Sequence, residues 1–252
     1  MNIGIYLYIA VLGLILGSFY NVVGLRIPNG ESIVHPPSHC PSCNNRLKPM
    51  ELIPVFSYMT LGGKCRNCQS KISPIYPFFE ALTAVLFVFA FYQIGFNWNL
   101  LIAWSLISLL IIISISDIHT QLIPDWILIF FFLLIGVLRV FVPTEPWYDA
   151  YLGAIVGFAI LLALAVISRG GMGGGDIKLY AVIGLALGMQ NTILSLLLAA
   201  FLGTIIGLIL MPFGKVKRGV PFAFGPFIAI GALLAYFYGD LMIDWYVTTF
   251  FY

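Results

Sequence analysis

LLIAWSLISLLIIISISD, residues 100–117, runs for seventeen residues without a charge and then stops on an aspartate. A helix of about 20 apolar residues crosses the hydrocarbon core of a bilayer. The run reads as a membrane span with Asp117 left at its end. An ionised carboxylate costs roughly 2.5 to 3.5 kcal/mol at the centre of a spanning helix and less near the interface, so an acid in this place needs a reason.

Similar apolar stretches occur at residues 3–23, 76–96, 126–142, 151–168, 177–189, 192–211 and 222–238, which with 100–116 makes eight, the sixth of them short. The 252-residue chain is 61% hydrophobic and 9% charged with a mean hydropathy of +1.03, a composition whose main solvent is lipid. The fold class is all-α and polytopic, with about eight transmembrane helices. Residues 1–27 form the first span, 28–75 a polar module and 76–252 a seven-helix membrane domain. A net charge of +2 with no Lys/Arg run excludes a nucleic-acid partner and leaves membrane lipid as the surrounding partner. The first run has no basic residue before it and no small-residue cleavage site after it, so it reads as a retained span rather than a signal peptide.

Lys and Arg set the orientation. With the N-terminus outside, Arg26, Arg46, Lys48, Lys64, Arg66, Lys71, Arg169, Lys178, Lys215, Lys217 and Arg218 fall on the inner side and only Arg139 outside. The same count brings Asp117, Asp125 and Asp176 to the inner face. Glycines four apart, Gly13/Gly17, Gly153/Gly157, Gly184/Gly188 and Gly203/Gly207, are expected to let helix backbones approach closely.

All four cysteines lie in the polar segment 28–74, as Cys40-Pro-Ser-Cys43 and Cys65-Arg-Asn-Cys68. Two such knuckles place four thiolates around one zinc ion, in the manner of a zinc ribbon. Disulfides or free thiols are the other readings, and a reducing cytoplasm disfavours disulfides. A closed site of four cysteines gives zinc a structural role. His35 and His39 read as solvated loop residues.

The carboxylates need separate readings. Asp125 follows Pro124 where a helix begins, so a capping or first-turn role suits it. Asp117 sits at a helix C-terminal end, where the dipole disfavours negative charge, which assigns the proton of any shared pair to it. Asp176 closes Met172-Gly-Gly-Gly-Asp176 and starts the short sixth run; the glycines can bring backbone close to a substrate strand, and a flexible turn with a capping aspartate is the alternative. Lys178 reads as an interfacial cation and His119 as solvated. Glu80, about one turn into the second span, reads as a structural acid, either bonded across helices or protonated.

At these residues the chain resembles the type IV prepilin peptidases, membrane aspartic enzymes of pilus, type II secretion and competence systems. The resemblance runs through residues 13–28 (GLILGSFYNVVGLRIP), 37–43 with 62–68, 117–125, 171–179 (GMGGGDIKL) and 221–226 (PFAFGP). It implies Asp117 and Asp176 as the catalytic pair, in preference to Asp125. It implies a prepilin or pseudopilin substrate, cut after a glycine between a basic leader and an apolar helix, at the cytoplasmic face of a bacterial inner membrane. Members with the cysteine module are commonly bifunctional, N-methylating the new amine with S-adenosylmethionine. Residues 51–65 (ELIPVFSYMTLGGKC) match that stretch, with Glu51, Gly63 and Lys64 as candidate cofactor-binding residues. A leader peptidase without methyl transfer and a proton-coupled transporter are the competing readings. The loop 170–175 is a candidate gate for the peptide.

Overall fold

The computed structural model describes residues 3–168, 172–211 and 223–251. Among them the regular structure is helical: α1 (Ile3–Arg26), α2 (Phe56–Thr60), α3 (Ile75–Ile94), α4 (Asn99–Thr120), α5 (Asp125–Phe141), α6 (Asp149–Ile167), α7 (Gly174–Leu187), α8 (Met189–Leu210) and α9 (Gly225–Phe251). Each of the eight apolar runs has become a helix, and α2 lies in the polar segment. Six of them, α1, α3, α4, α6, α8 and α9, are long and apolar enough to cross a membrane. The 17-residue α5 falls just short, and the 14-residue α7 spans only about 21 Å. The count of eight spans is therefore approximate.

The chain divides into two compact units, Met1–Phe96 and Asn97–Tyr252. In the first, α1 and α3 lie against each other because Gly13 and Gly17 have no side chain. A Cβ at Gly13 would stand 2.6 Å from Ala84 Cα, and one at Gly17 would stand 2.8 Å from Glu80 Cα. Asn21 Nδ2 donates to Tyr76 O across the same pair.

In the second unit α4 is the buried centre, with Leu106, Ile107, Leu109 and Ile115 wholly inaccessible. α9 runs antiparallel to α4: Tyr236 at its middle donates to Asn99 O, and Gly225 at its start meets Asp117 at the α4 terminus. α6 and α7 meet backbone to backbone at Gly153, Gly157 and Gly184. Three of the four glycine pairs expected to pack do so. The fourth is half used, since a Cβ at Gly203 would strike Phe224 while Gly207 faces open space.

Arg139, in the last turn of α5, is buried, and the reason is the end of α7. Its Nε donates to Leu185 O and its Nη2 to Ala186 O, carbonyls that the last turn of a helix leaves without partners. Gly188, with φ +79°, turns the chain directly into α8, whose first free N–H, at Met189, is bonded by Asp149. Asp125 and Lys178 pair near the starts of α5 and α7, so the two helices run in the same direction.

Candidate active site and metal centre

Asp117 lies in the last turn of α4, 7% exposed, with its own carbonyl closing the helix on Gln121 N. Gln121 adopts the left-handed conformation (φ +54°) and ends α4, and Ser116 Oγ donates to Leu122 O, so residues 121–124 fold back over the terminus. That return places Ile123 against the start of α7. A Cβ on Gly175 would stand 2.7 Å from Ile123 Cβ, so only glycine admits the approach. Gly175 thus serves the chain's own packing; a Cβ at Gly174 would meet nothing within 4 Å, and Gly170 and Gly171 of the candidate gate lie outside the described residues.

Asp176 is the third residue of α7, behind the N-cap Gly173, and its carboxylate turns back to the Gly173 N–H, one half of a capping box. It is close enough to Asp117 for the two charges to interact. Asp117 Oδ2 accepts the Gly225 N–H at 2.6 Å. That donor belongs to the first residue of α9, so the positive end of α9 opposes the negative end of α4 at Asp117. The N-terminal end of α9 therefore offsets the α4 dipole at Asp117, and the helix dipoles alone do not assign the proton of the pair. Gly225 was not legible as part of the site, although it lies in the 221–226 match; Pro221 and Phe222 of that match lie outside the described residues, as do Arg169, Lys215, Lys217 and Arg218.

Asp125 stands apart. It is the first residue of α5 with Pro124 as N-cap and no side-chain cap bond, so it has the first-turn role and not the capping one. Its carboxylate pairs with Lys178 Nζ at 2.7 Å in an exposed setting, and His119 is exposed too.

The four cysteines converge in the first unit, with all Sγ atoms within 4.8 Å of one another. Each knuckle has the same construction. Asn44 N bonds Cys40 O and Gln69 N bonds Cys65 O, with Asn44 and Gln69 both left-handed, and the isolated bridges His39 to Arg46 and Lys64 to Lys71 close the two hairpins in equal register. Thiolates bound at about 2.3 Å around a tetrahedral ion lie about 3.8 Å apart. Cys40 Sγ and Cys68 Sγ are 3.8 Å apart, so the cluster fits a metal ion. The Ser70 hydroxyl stands beside both sulfurs. With backbone N–H groups of Ser42 and Cys43 it holds the Cys40 thiol down to about 6, and it also lowers Cys68. His35 and His39 are exposed outside the cluster.

Glu51, Gly63 and Lys64 are placed by local needs. Glu51 Oε2 accepts the Lys48 N–H at 2.7 Å and caps the short 3-10 turn Pro49–Leu52. Gly63 has φ +68°, and the Tyr58 hydroxyl fills the space where its Cβ would stand. Lys64 is exposed, and no hydrogen bond joins the three to one another.

Fold and site together define a multi-pass membrane protein with a four-thiol cluster and two acids, Asp117 and Asp176, near enough for their charges to interact. Residues 11–94 match the bacterial peptidase A24 N-terminal domain, and residues 104–208 match the type IV leader peptidase family. A prepilin leader peptidase/N-methyltransferase of Bacillus subtilis is 44% identical over 94% of this chain and 96% of its own length. Proteins of the same name from Pseudomonas aeruginosa and Neisseria gonorrhoeae are 33% and 34% identical, over 94% and 95% of the chain and 91% and 93% of theirs. No solved structure matches. The chain belongs to the type IV leader peptidase family.

Proposed function

We propose that this chain is a membrane aspartic endopeptidase that removes the basic leader of type IV prepilins or pseudopilins after a glycine, and then N-methylates the residue it exposes. The observation that carries the reading is the folding back of residues 121–124 from Asp117 at the end of α4 onto Gly175 beside Asp176, which leaves the two acids within reach of each other's charge. The names of the Bacillus, Pseudomonas and Neisseria relatives support the two reactions as a pair.

In the cleavage step one aspartate, ionised, takes a proton from water as the water oxygen attacks the glycyl carbonyl. The other, protonated, donates a hydrogen bond to that carbonyl oxygen. The C–N bond then breaks, and the proton taken from water passes to the leaving amine. Gly225 N–H and Gly173 N–H hold the two carboxyl groups in place, so the pair is positioned before substrate arrives.

For methyl transfer the candidates are Glu51, Gly63 and Lys64. Bound S-adenosylmethionine supplies an electrophilic methyl group to the new amine. Glu51 and Lys64 offer charges of opposite sign to it, whereas the space at Gly63 is already taken by Tyr58. The metal of the four-cysteine cluster is proposed to be zinc, in a structural role, because four thiolates in a tetrahedron are its usual closed shell. The N-terminus is proposed to lie outside and the carboxylate pair at the cytoplasmic face of a bacterial inner membrane; the Lys and Arg distribution over eight spans supports that orientation. Glu31 and Glu51 are the acids there that would meet a basic leader.

The test is incubation of the full chain in phospholipid with a prepilin and S-adenosylmethionine, followed by the mass of the product's N-terminus. Loss of the leader with gain of one methyl group is expected. An intact prepilin defeats the reading, and a cleaved but unmodified amine leaves a peptidase without methyl transfer.

A further inference from the structure

We propose that residues 49–60 form a re-entrant strip seated in the lipid interface, with anionic phospholipid as the partner of its apolar face. The strip comprises the 3-10 turn Pro49–Leu52, a sharp reversal at Val55 and α2. It goes beyond both catalytic readings and depends on neither, and it shares Glu51, within the strip, and Lys64, beside it, with the candidate cofactor-binding residues.

Its attachment sets its depth. Val55 N donates to Glu80 Oε2 at 2.7 Å, and Glu80 is a buried residue of the span α3. Glu80 lies about 8 Å along α3 from Ile75, opposite Gly17, which is about 14 Å along α1 from Arg26. Glutamate side chains on a helix lean towards its N-terminus, here the end from which the module emerges, so Val55 sits near the first turn of α3. That is the level of the headgroup and acyl boundary, where amphipathic segments lie.

The backbone is bent to reach it. Val55 has φ +60° and ψ −49°, and Phe56 N bonds Pro54 O, which makes a γ-turn of the sterically strained hand on a β-branched residue. The buried carboxylate holds that turn.

The exposed side chains supply the partner's chemistry. Met50 is 80% exposed, Met59 72% and Phe56 62%, with Leu52 and Ile53 beside them. Phe78 of α3 and Phe19 of α1 are also exposed, so apolar surface is present on the spans as well as on the strip. Scattered apolar residues on a protein surface need no explanation, but five within ten residues, tethered to a spanning helix, do. The exposed Lys48 and Lys64 flank the strip and complement anionic headgroups.

The test uses the full chain in vesicles of phosphatidylethanolamine and phosphatidylglycerol with alkyne-tagged acyl chains. Benzoylphenylalanine replaces Phe56, Met59 or, as a control on the exposed side of a knuckle, Ser42. Illumination is expected to give several-fold more lipid adduct at Phe56 and Met59 than at Ser42. In a Glu80→Ala background that retains its metal, the excess is expected to fall towards the Ser42 level. Lipid labelling no greater than at Ser42, or adducts chiefly to a second copy of the chain or to added prepilin, would overturn the proposal. An excess untouched by Glu80→Ala would overturn the role of the clamp.

Discussion

Gly225 donates its backbone N–H to Asp117 Oδ2 at 2.6 Å, across 108 residues of sequence, and nothing larger than glycine fits there. A Cβ at residue 225 would stand 2.9 Å from that oxygen and 3.0 Å from Asp117 Cβ. Gly225→Ala is expected to displace the carboxylate, and a misplacement of about 1 Å costs about 100-fold in turnover. Cleavage kinetics on a variant that extracts normally from the membrane would check this.

Ile123 and Gly175 form the other hinge of the site. Gly175→Ala should lower cleavage by about tenfold through a displaced α7 start, and Ile123→Gly in the same chain, which removes the Cβ that the new methyl would strike, should restore part of it, as expected for residues in direct contact. A double-mutant cycle on turnover reads the coupling.

Asp125 is the acid that should not matter much. Its pairing with Lys178 is exposed, 57% and 52% at the side chains, and such pairs contribute about 0 to 1 kcal/mol. Asp125→Asn and Lys178→Met are each expected to keep cleavage within about threefold, with little change in thermal stability.

The metal cluster has a pH signature. Metal binding needs thiolates, and the Ser70 hydroxyl keeps the Cys40 thiolate populated down to about pH 6. Ser70→Ala removes the largest lowering influence on both Cys40 and Cys68, so protons compete at higher pH and the acid midpoint of metal release should move upward. Metal content measured against pH shows the shift; Cys40→Ser should lose the metal at neutral pH.

Arg139 should be a stability residue. Arg139→Met leaves the Leu185 and Ala186 carbonyls unpaired in a buried place, at a cost of about 2 kcal/mol or more. Lysine should not replace it, because one ammonium cannot reproduce the fork. Thermal unfolding in detergent is the measure.

Hydropathy alone located all eight long helices, since lipid leaves the backbone little choice but to bond to itself. It misjudged their ends where tertiary contacts decide: α9 continues past Tyr238 to Phe251 through two aspartates, the first of which, Asp240, accepts from Asn191 of α8. The four-cysteine cluster was legible because metal ligation demands thiols in two such knuckles, and Asp117 and Asp176 stood out as acids at the ends of apolar runs. Glu80 was legible as a buried structural acid but its partner Val55 was not, and neither were Gly225 and Ile123, because each acts through a partner distant in sequence. The span count gave Arg139 only a side of the membrane; its burial depends on the carbonyls at the end of α7, distant in sequence.

The most direct measurement is the turnover of prepilin cleavage by the wild type, Asp117→Asn, Asp176→Asn and the double variant, each as a full chain in phospholipid. A pair that acts as one unit predicts that each single variant falls by about 1,000-fold or more and that the double falls no further than the singles. Undiminished cleavage by either single variant would contradict the paired-carboxylate centre.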